Sequence, residues 1–128
     1  MGKDKGKPKN WKVVALPEAD KDIAAIVRFI YKREGSTMAR AILKQFREAK
    51  KKLCTLPERG RITPELRRIN VLVFRELQIA PYRMIYQTSE PENTVFIHIV
   101  IDGRRDLAEL LVTRLLKADG YEGEEYEQ

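Results

Sequence analysis

The 128-residue chain has few of the residues that build metal centres, disulfides or membrane spans. Its single cysteine, Cys54, excludes an internal disulfide and a multi-cysteine zinc site, and its single histidine, His98, argues against an imidazole zinc site. No apolar run exceeds five residues, and no apolar segment follows the N-terminal lysines, so we expect neither a transmembrane helix nor a secretory signal. We therefore predict a cytoplasmic protein that needs no metal, no small-molecule cofactor and no membrane.

Charge is distributed unevenly along the chain, whose net charge is +6. Residues 1–10 have a charge balance of +3, residues 118–128 a balance of −5, and residues 11–117 a balance of +8. The first segment is predicted to be a disordered basic arm and the last an acidic flexible tail, since neither has enough apolar residues to build a core. Residues 11–117 are predicted to form a single domain whose charge suits a polyanion or an acidic protein.

The hydrophobic pattern of this domain predicts the order β-α-α-β-β-β-α. A β-rich run, Trp11–Leu16, ends at Pro17, where apolar residues begin to recur at helical spacing. Gly35 ends that helix, and Ser36 is expected to cap a second, antiparallel helix. The later elements are a loop over 57–70 with a helical turn at Pro64–Arg67, strands at Leu72–Ile79, Tyr82–Thr88 and Thr94–Ile101, and a helix capped by Asp106. We predict an α+β fold, with the helical hairpin packed on one face of a small antiparallel-rich sheet.

The tight connection at Ala80–Pro81 predicts the register of the first strand hairpin. The expected pairs are Arg75–Tyr86, Glu76–Ile85, Leu77–Met84, Gln78–Arg83 and Ile79–Tyr82. One face then carries a core set of Val73, Leu77, Ile79, Tyr82, Met84 and Tyr86. The other face is expected to be polar, with Glu76, Gln78, Arg83 and Gln87. The last strand is apolar on both sides, which favours a central position covered on both faces.

Several short motifs, in their order along residues 12–117, resemble the RelE/ParE toxins of type II toxin–antitoxin modules. They are Asp22-Ile23, Leu56-Pro57, Gly60-Arg61, Pro64-Glu65-Leu66, Arg75-Glu76-Leu77, Pro81-Tyr82-Arg83, Tyr86 and Gly103-Arg104-Arg105-Asp106 before a leucine-rich helix. The resemblance implies a toxin of the plasmid-stabilisation type that a cognate antitoxin neutralises. It also implies one of two mechanisms, because RelE-like toxins are metal-free, ribosome-dependent mRNA endoribonucleases, whereas ParE-like toxins poison DNA gyrase.

The residues at the catalytic positions of the RelE-like branch favour the ParE-like alternative. Metal-free RNA cleavage needs a group that activates the 2′-OH, a cation for the phosphorane and an acid for the leaving oxygen. Arg105 matches a RelE-type arginine, but a second arginine position falls on Gln78 and a tyrosine position falls on Leu111. His98 lies inside an apolar strand rather than at its end. We therefore predict a toxin that inhibits gyrase by docking; a tyrosine, histidine or carboxylate bonded to Arg83 and Arg105 in an open cleft would indicate a nuclease instead.

Four arginines are the candidates for a target-binding surface: Arg61, Arg83, Arg104 and Arg105. Arg61 follows a glycine in a loop, where binding residues are common. Arg83 lies on the strand face expected to be polar, and with Arg105 it is a catalytic candidate if the chain is a ribonuclease. Arg75, expected beside Tyr86, is predicted to be structural.

Two further interpretations remain open for surfaces outside these arginines. The basic exposed side of the helix pair either meets an acidic protein or nucleic acid, or is simply solvated. The second interpretation is an alternative to both toxin mechanisms: the chain is an inactive domain that only binds the antitoxin or its operator. In that case the acidic tail folds onto the basic body and competes with a partner.

Overall fold

A computed structural model describes residues 10–104 and 107–118 of the chain. The elements in these ranges are β1 (Lys12–Ala15), α1 (Pro17–Glu34), α2 (Ser36–Thr55), β2 (Arg61–Ile62), α3 (Pro64–Arg67), β3 (Phe74–Ile79), β4 (Tyr82–Ser89), β5 (Thr94–Asp102) and α4 (Ala108–Ala118). The α+β prediction is confirmed, and so is the helical turn at Pro64–Arg67. The predicted basic arm, the acidic tail beyond residue 118, Arg105 and the Asp106 cap lie outside the described residues.

The helical hairpin forms where the sequence predicts it. Pro17 occupies the start of α1, where its fixed φ angle suits a helix and its missing N–H costs nothing. Gly35 has a φ of 94°, a left-handed conformation that glycine adopts without a side-chain clash, and it reverses the chain between the helices. The expected Ser36 cap is wrong: Gly35 is the N-cap of α2, Ser36 is the first helical residue, and no side chain caps the helix.

The sheet has the order β1-β5-β4-β3-β2. β1 runs parallel to β5, and the other neighbours are antiparallel. The predicted hairpin register is confirmed at every pair, from Ile79 opposite Tyr82 to Arg75 opposite Tyr86. β5 lies between β1 and β4, as its apolar character on both sides predicts. Only β2 was missed, because two residues are too few to show a periodic pattern.

Both faces of the sheet are covered, and the face predicted to be polar is exposed only in part, at Gln78. The hairpin packs on one face over a core that includes Phe46, Leu53, Met84 and Tyr86. On the other face lies a second core, formed by Leu66, Phe74, Ile85, Ile99, Ile101, Leu107, Leu111 and Leu115. Phe74 and Ile85 share that face with Glu76 and Arg83, so α3 and α4 cover the apolar residues and bury the two charges with them.

Candidate functional site

A groove of about 350 Å³ opens beside the β3–β4 turn, between α3 and the end of β5. Its lining includes Arg61, Glu65, Arg68, Tyr82, Arg83 and Arg104, and we call it the arginine groove. The connection Ala80–Pro81 forms one wall. Four cationic side chains therefore converge where three chain segments meet.

Arg83 lies in the floor of the groove and is held by two carboxylates. Its Nη1 and Nη2 donate to Oε2 and Oε1 of Glu65 at 2.9 and 2.6 Å. Its Nε and Nη2 both donate to Oε1 of Glu76, at 3.1 and 2.8 Å. The Arg83 side chain is only 8% exposed, and that of Glu76 is fully buried. The predicted placement of Arg83 on an open surface is therefore wrong, because its charge is neutralised inside the fold.

Glu76 links this buried pair to the rim of the groove. Its second oxygen, Oε2, accepts a hydrogen bond from Nε of Arg61 at 2.8 Å. Arg61 remains 54% exposed, so one side of its guanidinium faces solvent. Two arginines thus share the carboxylate of Glu76. A buried carboxylate needs such cationic hydrogen-bond donors, because burial removes the water that would otherwise stabilise its charge.

The ion pairs fix the protonation states of the groove. The hydrogen bond from Arg83 is the main reason that the pKa of Glu65 lies below its ordinary value. The same bond, with a smaller contribution from Glu76, raises the pKa of Arg83. Burial, and then the charge of Asp102, raise the pKa of Tyr82. At neutral pH, Glu65 is therefore a carboxylate, Arg83 a cation and Tyr82 a neutral phenol.

Gly103 allows the arginine stem to reach the floor. A Cβ atom at this position would collide with Cγ and Cδ of Arg83. The backbone N–H of Gly103 donates to the carbonyl of Pro81 at 2.8 Å, which joins the end of β5 to the β3–β4 turn. Any side chain at residue 103 would thus displace either the arginine or the turn.

Arg104 forms the outer rim. It is 75% exposed, and its Nη2 lies 2.7 Å from Oδ2 of Asp102. Its backbone N–H and Nε also donate to Oδ1 of Asp102, both at 3.0 Å. Asp102 therefore orients Arg104 while leaving most of its surface in water.

The structure brings three of the four candidate arginines together. Arg61 and Arg104 are exposed at the rim, Arg83 lies beneath them, and Arg105 is outside the described residues. Sequence reasoning missed Arg68, which also lines the groove, and the two carboxylates of Glu65 and Glu76. The predicted register did contain a signal for Glu76, because it makes Glu76 and Arg83 diagonal neighbours on one face of the strand pair. Opposite charges in such positions attract each other across the sheet.

The other predicted residues have structural roles. Arg75 donates from Nη1 to the carbonyl of Gly60 at 2.8 Å, as expected for a structural arginine. His98 is buried with its ring 5.2 Å from that of Phe74, edge to face, and Leu111 is fully buried in the second core. Cys54 is half-buried, and its thiol is 3.6 Å from the Lys50 carbonyl.

Two further observations concern residues 10–104 and 107–118, the part of the chain that the structure describes. In these ranges no helix is both long and apolar enough to cross a membrane. The same ranges contain no group of three or more His, Cys, Asp or Glu side chains placed to hold a metal ion.

Comparisons with known proteins agree with this architecture. A family model described as the ParE toxin of the type II toxin–antitoxin system parDE matches residues 13–107. A search of curated protein sequences gives no significant match. Several solved structures match in shape; two of those compared below come from toxin–antitoxin systems, and the third is a toxin in the free state.

The three structures share the fold at low sequence identity. A chain of the chromosomal ParDE system of P. aeruginosa is 17% identical, with a TM-score of 0.59 over 72% of this chain and 95% of that one. A chain of the RelBE2 toxin–antitoxin complex of Mycobacterium tuberculosis is 18% identical, with a TM-score of 0.50 over 73% and 92%. A mutant of the E. coli toxin RelE in the free state is 16% identical, with a TM-score of 0.54 over 85% and 97%.

Proposed function

Because the chain belongs to the ParE toxin family of type II toxin–antitoxin systems, we propose that it arrests growth by docking on DNA gyrase. A cognate antitoxin neutralises it, and it acts in the cytoplasm, where gyrase and DNA are found. No covalent chemistry is required of the toxin in this mechanism. Its working surface is the rim of the arginine groove, formed by Arg61, Arg68 and Arg104.

The observation that carries the proposal is the neutralisation of Arg83. A ribonuclease would need this cation free to stabilise a phosphorane, together with a proton donor and a proton acceptor beside it. Both oxygens of Glu65 already accept hydrogen bonds from Arg83, and Glu76 is fully buried. The two carboxylates that touch Arg83 therefore stabilise the floor of the groove and are not free to act as an acid or a base.

The rim has the properties of a docking surface. Arg61 and Arg104 are more than half exposed, and Arg68 is exposed beside them. Arginine is enriched at protein interfaces because its planar guanidinium donates several hydrogen bonds and also packs on apolar surface. A buried floor beneath exposed rim side chains lets them bind acidic groups of a large partner without disturbing the fold.

A supercoiling assay tests this mechanism directly. Purified toxin is incubated with gyrase, ATP and relaxed or supercoiled plasmid, and we expect inhibited supercoiling or accumulation of linear DNA. Arg104→Glu should weaken inhibition at least about tenfold, which corresponds to about 1.4 kcal/mol of binding free energy. Arg67→Glu, an exposed arginine of α3 outside the groove, is the matched control and should retain full inhibition. Neither effect on the plasmid at molar excess of toxin over gyrase would reject the proposal.

A second candidate function is ribosome-dependent cleavage of mRNA. The observation in its favour is that the Tyr82 phenol, Glu65 and Arg83 line one open groove. The bond between a carboxylate and Arg83 that would indicate a nuclease is therefore present, whereas Arg105 lies outside the described residues. Expression of the toxin would then produce cuts within translated codons, and Arg105→Ala would abolish them without unfolding the protein. Intact transcripts in growth-arrested cells would reject the nuclease, and normal growth during expression would leave an inactive antitoxin-binding domain.

A further inference from the structure

The second helix of the hairpin carries a row of cations that the arginine groove does not use. Between Ser36 and Thr55, α2 has six basic residues and one acidic residue, Glu48. Four of the cations recur at helical spacing, and we call them the basic stripe: Arg40, Lys44, Arg47 and Lys51. At 100° per residue they fall within an arc of about 60°, so they form one straight row along the helix.

The basic stripe is exposed and is not neutralised within the described part of the chain. All four side chains are exposed. None of the ion pairs among the described residues involves them. Glu48 is a neighbour of Lys44 and Lys51 along the helix but forms no ion pair with either of them. The like charges of the row repel one another, and a bound polyanion relieves that repulsion.

The row is held rigidly by the opposite side of the same helix. The opposite side of α2 buries four residues in the core between the hairpin and the sheet: Ile42, Phe46, Ala49 and Leu53. Ala39, on the same helix, is buried as well. The helix cannot rotate to hide the cations or to expose this apolar side. This also excludes a membrane-surface helix, which needs a free apolar face to enter the lipid.

We infer that the basic stripe binds the phosphate backbone of duplex DNA without reading its sequence. A protein partner is disfavoured because half of the stripe is lysine, which is depleted at protein interfaces, and no apolar or aromatic anchor accompanies it. Single-stranded nucleic acid is disfavoured because the stripe has no aromatic side chain on which bases stack. Duplex RNA is disfavoured because it is recognised through its 2′-hydroxyls, and the stripe offers cations alone.

The dimensions of the row suit a DNA strand. Arg40 and Lys51 are eleven residues apart in sequence, which corresponds to about 16 Å along a helix axis. With both strands counted, B-DNA carries one negative charge about every 1.7 Å of its axis, so a row of this length lies opposite enough phosphates for four contacts. The site is separate from the arginine groove and does not require gyrase, although DNA affinity would concentrate the toxin where gyrase works.

Fluorescence anisotropy with a labelled 20-base-pair DNA duplex tests the inference with the full chain. Four phosphate contacts predict a slope of about −3.6 for the logarithm of affinity against the logarithm of salt concentration, which is about a 100-fold loss between 50 and 200 mM. Arg47→Glu/Lys51→Glu should weaken binding at least tenfold at 50 mM salt and make the slope less steep by about 2. Two unrelated duplex sequences should bind alike.

Two comparisons decide whether position, rather than net charge, is responsible. Arg47→Glu and Arg67→Glu change the charge equally on exposed helical arginines, but Arg67 is on α3, across the sheet from the hairpin. We expect Arg47→Glu to lower DNA affinity about tenfold and Arg67→Glu by less than threefold. Equal losses, a salt-independent affinity, or tighter binding of an RNA duplex of the same sequence would each overturn the inference. Unchanged urea unfolding of both variants would show that neither effect comes from misfolding.

Discussion

Arg83 and Glu65 form a two-pronged ion pair that ties α3 to β4. The two parallel hydrogen bonds are 2.9 and 2.6 Å long and join residues 18 positions apart. A four-residue helix such as α3 has no stability of its own, since helix formation needs several turns to overcome its nucleation cost. The ion pair and the burial of Leu66 therefore hold α3 in place and give the arginine groove its floor.

Removal of Arg83 should destabilise the fold strongly. Arg83→Met leaves buried Glu76 with Arg61 as its remaining cation, and we expect a loss of about 3 kcal/mol in the free energy of unfolding. Arg61→Ala is the control, because Arg61 is 54% exposed and its ion pair is screened by water. It should cost about 1 kcal/mol or less. Urea denaturation at pH 7 measures both free energies of unfolding. Equal losses would contradict the conclusion that the buried ion pairs of Arg83 stabilise the floor of the groove.

Stability should fall on acidification as Glu65 becomes protonated. Its pKa is lowered in the folded state, mainly by the hydrogen bond from Arg83. The stabilisation is therefore complete above the unfolded-state value near 4.5 and is lost as the pH falls through the lower folded-state pKa. Urea midpoints between pH 7 and pH 3 should drop less steeply in Glu65→Gln than in the parent chain. Parallel curves for the two proteins would contradict this role.

Gly103→Ala should damage the groove through a steric conflict with one residue. The added methyl group would collide with Cγ and Cδ of Arg83, and overpacking of this kind costs about 1–3 kcal/mol. In an Arg83→Ala background the colliding atoms are absent, so the same substitution should be nearly neutral. A double-mutant cycle of unfolding free energies measures this coupling. Additive losses would show that Gly103 is required for another reason.

The hydroxyl of Tyr86 should contribute measurably to stability. The backbone N–H of Gly60 donates to it at 2.9 Å inside the protein. Tyr86→Phe leaves that N–H without a partner, which should cost about 1–3 kcal/mol. Tyr31→Phe is the control, because Tyr31 is 57% exposed, and it should change stability by less than about 0.5 kcal/mol. Thermal or urea unfolding of both variants gives the comparison.

Much of the fold was predictable because its signals are local. The first helix begins at Pro17 and ends before Gly35, and the alternation of apolar and polar side chains fixes the pairing of Leu77 with Met84. These features depend on neighbours in sequence or on a tight turn, so periodicity alone reveals them. The same reasoning put Glu76 and Arg83 on one strand face, which the structure bears out, but it did not reveal that both charges are buried there.

The sequence by itself determined the order of the elements other than β2, the hairpin register and the basic character of α2, since each follows from the spacing of residues along the chain. Only the tertiary structure decided what the second face of the sheet does. Residues 64–67 and 107–115 fold over that face, bury its apolar residues and place Glu65 and Glu76 around Arg83. An arginine such as Arg83 can be buried only where carboxylates distant in sequence come within hydrogen-bond distance of it. The spacing of residues along the chain does not reveal that distance.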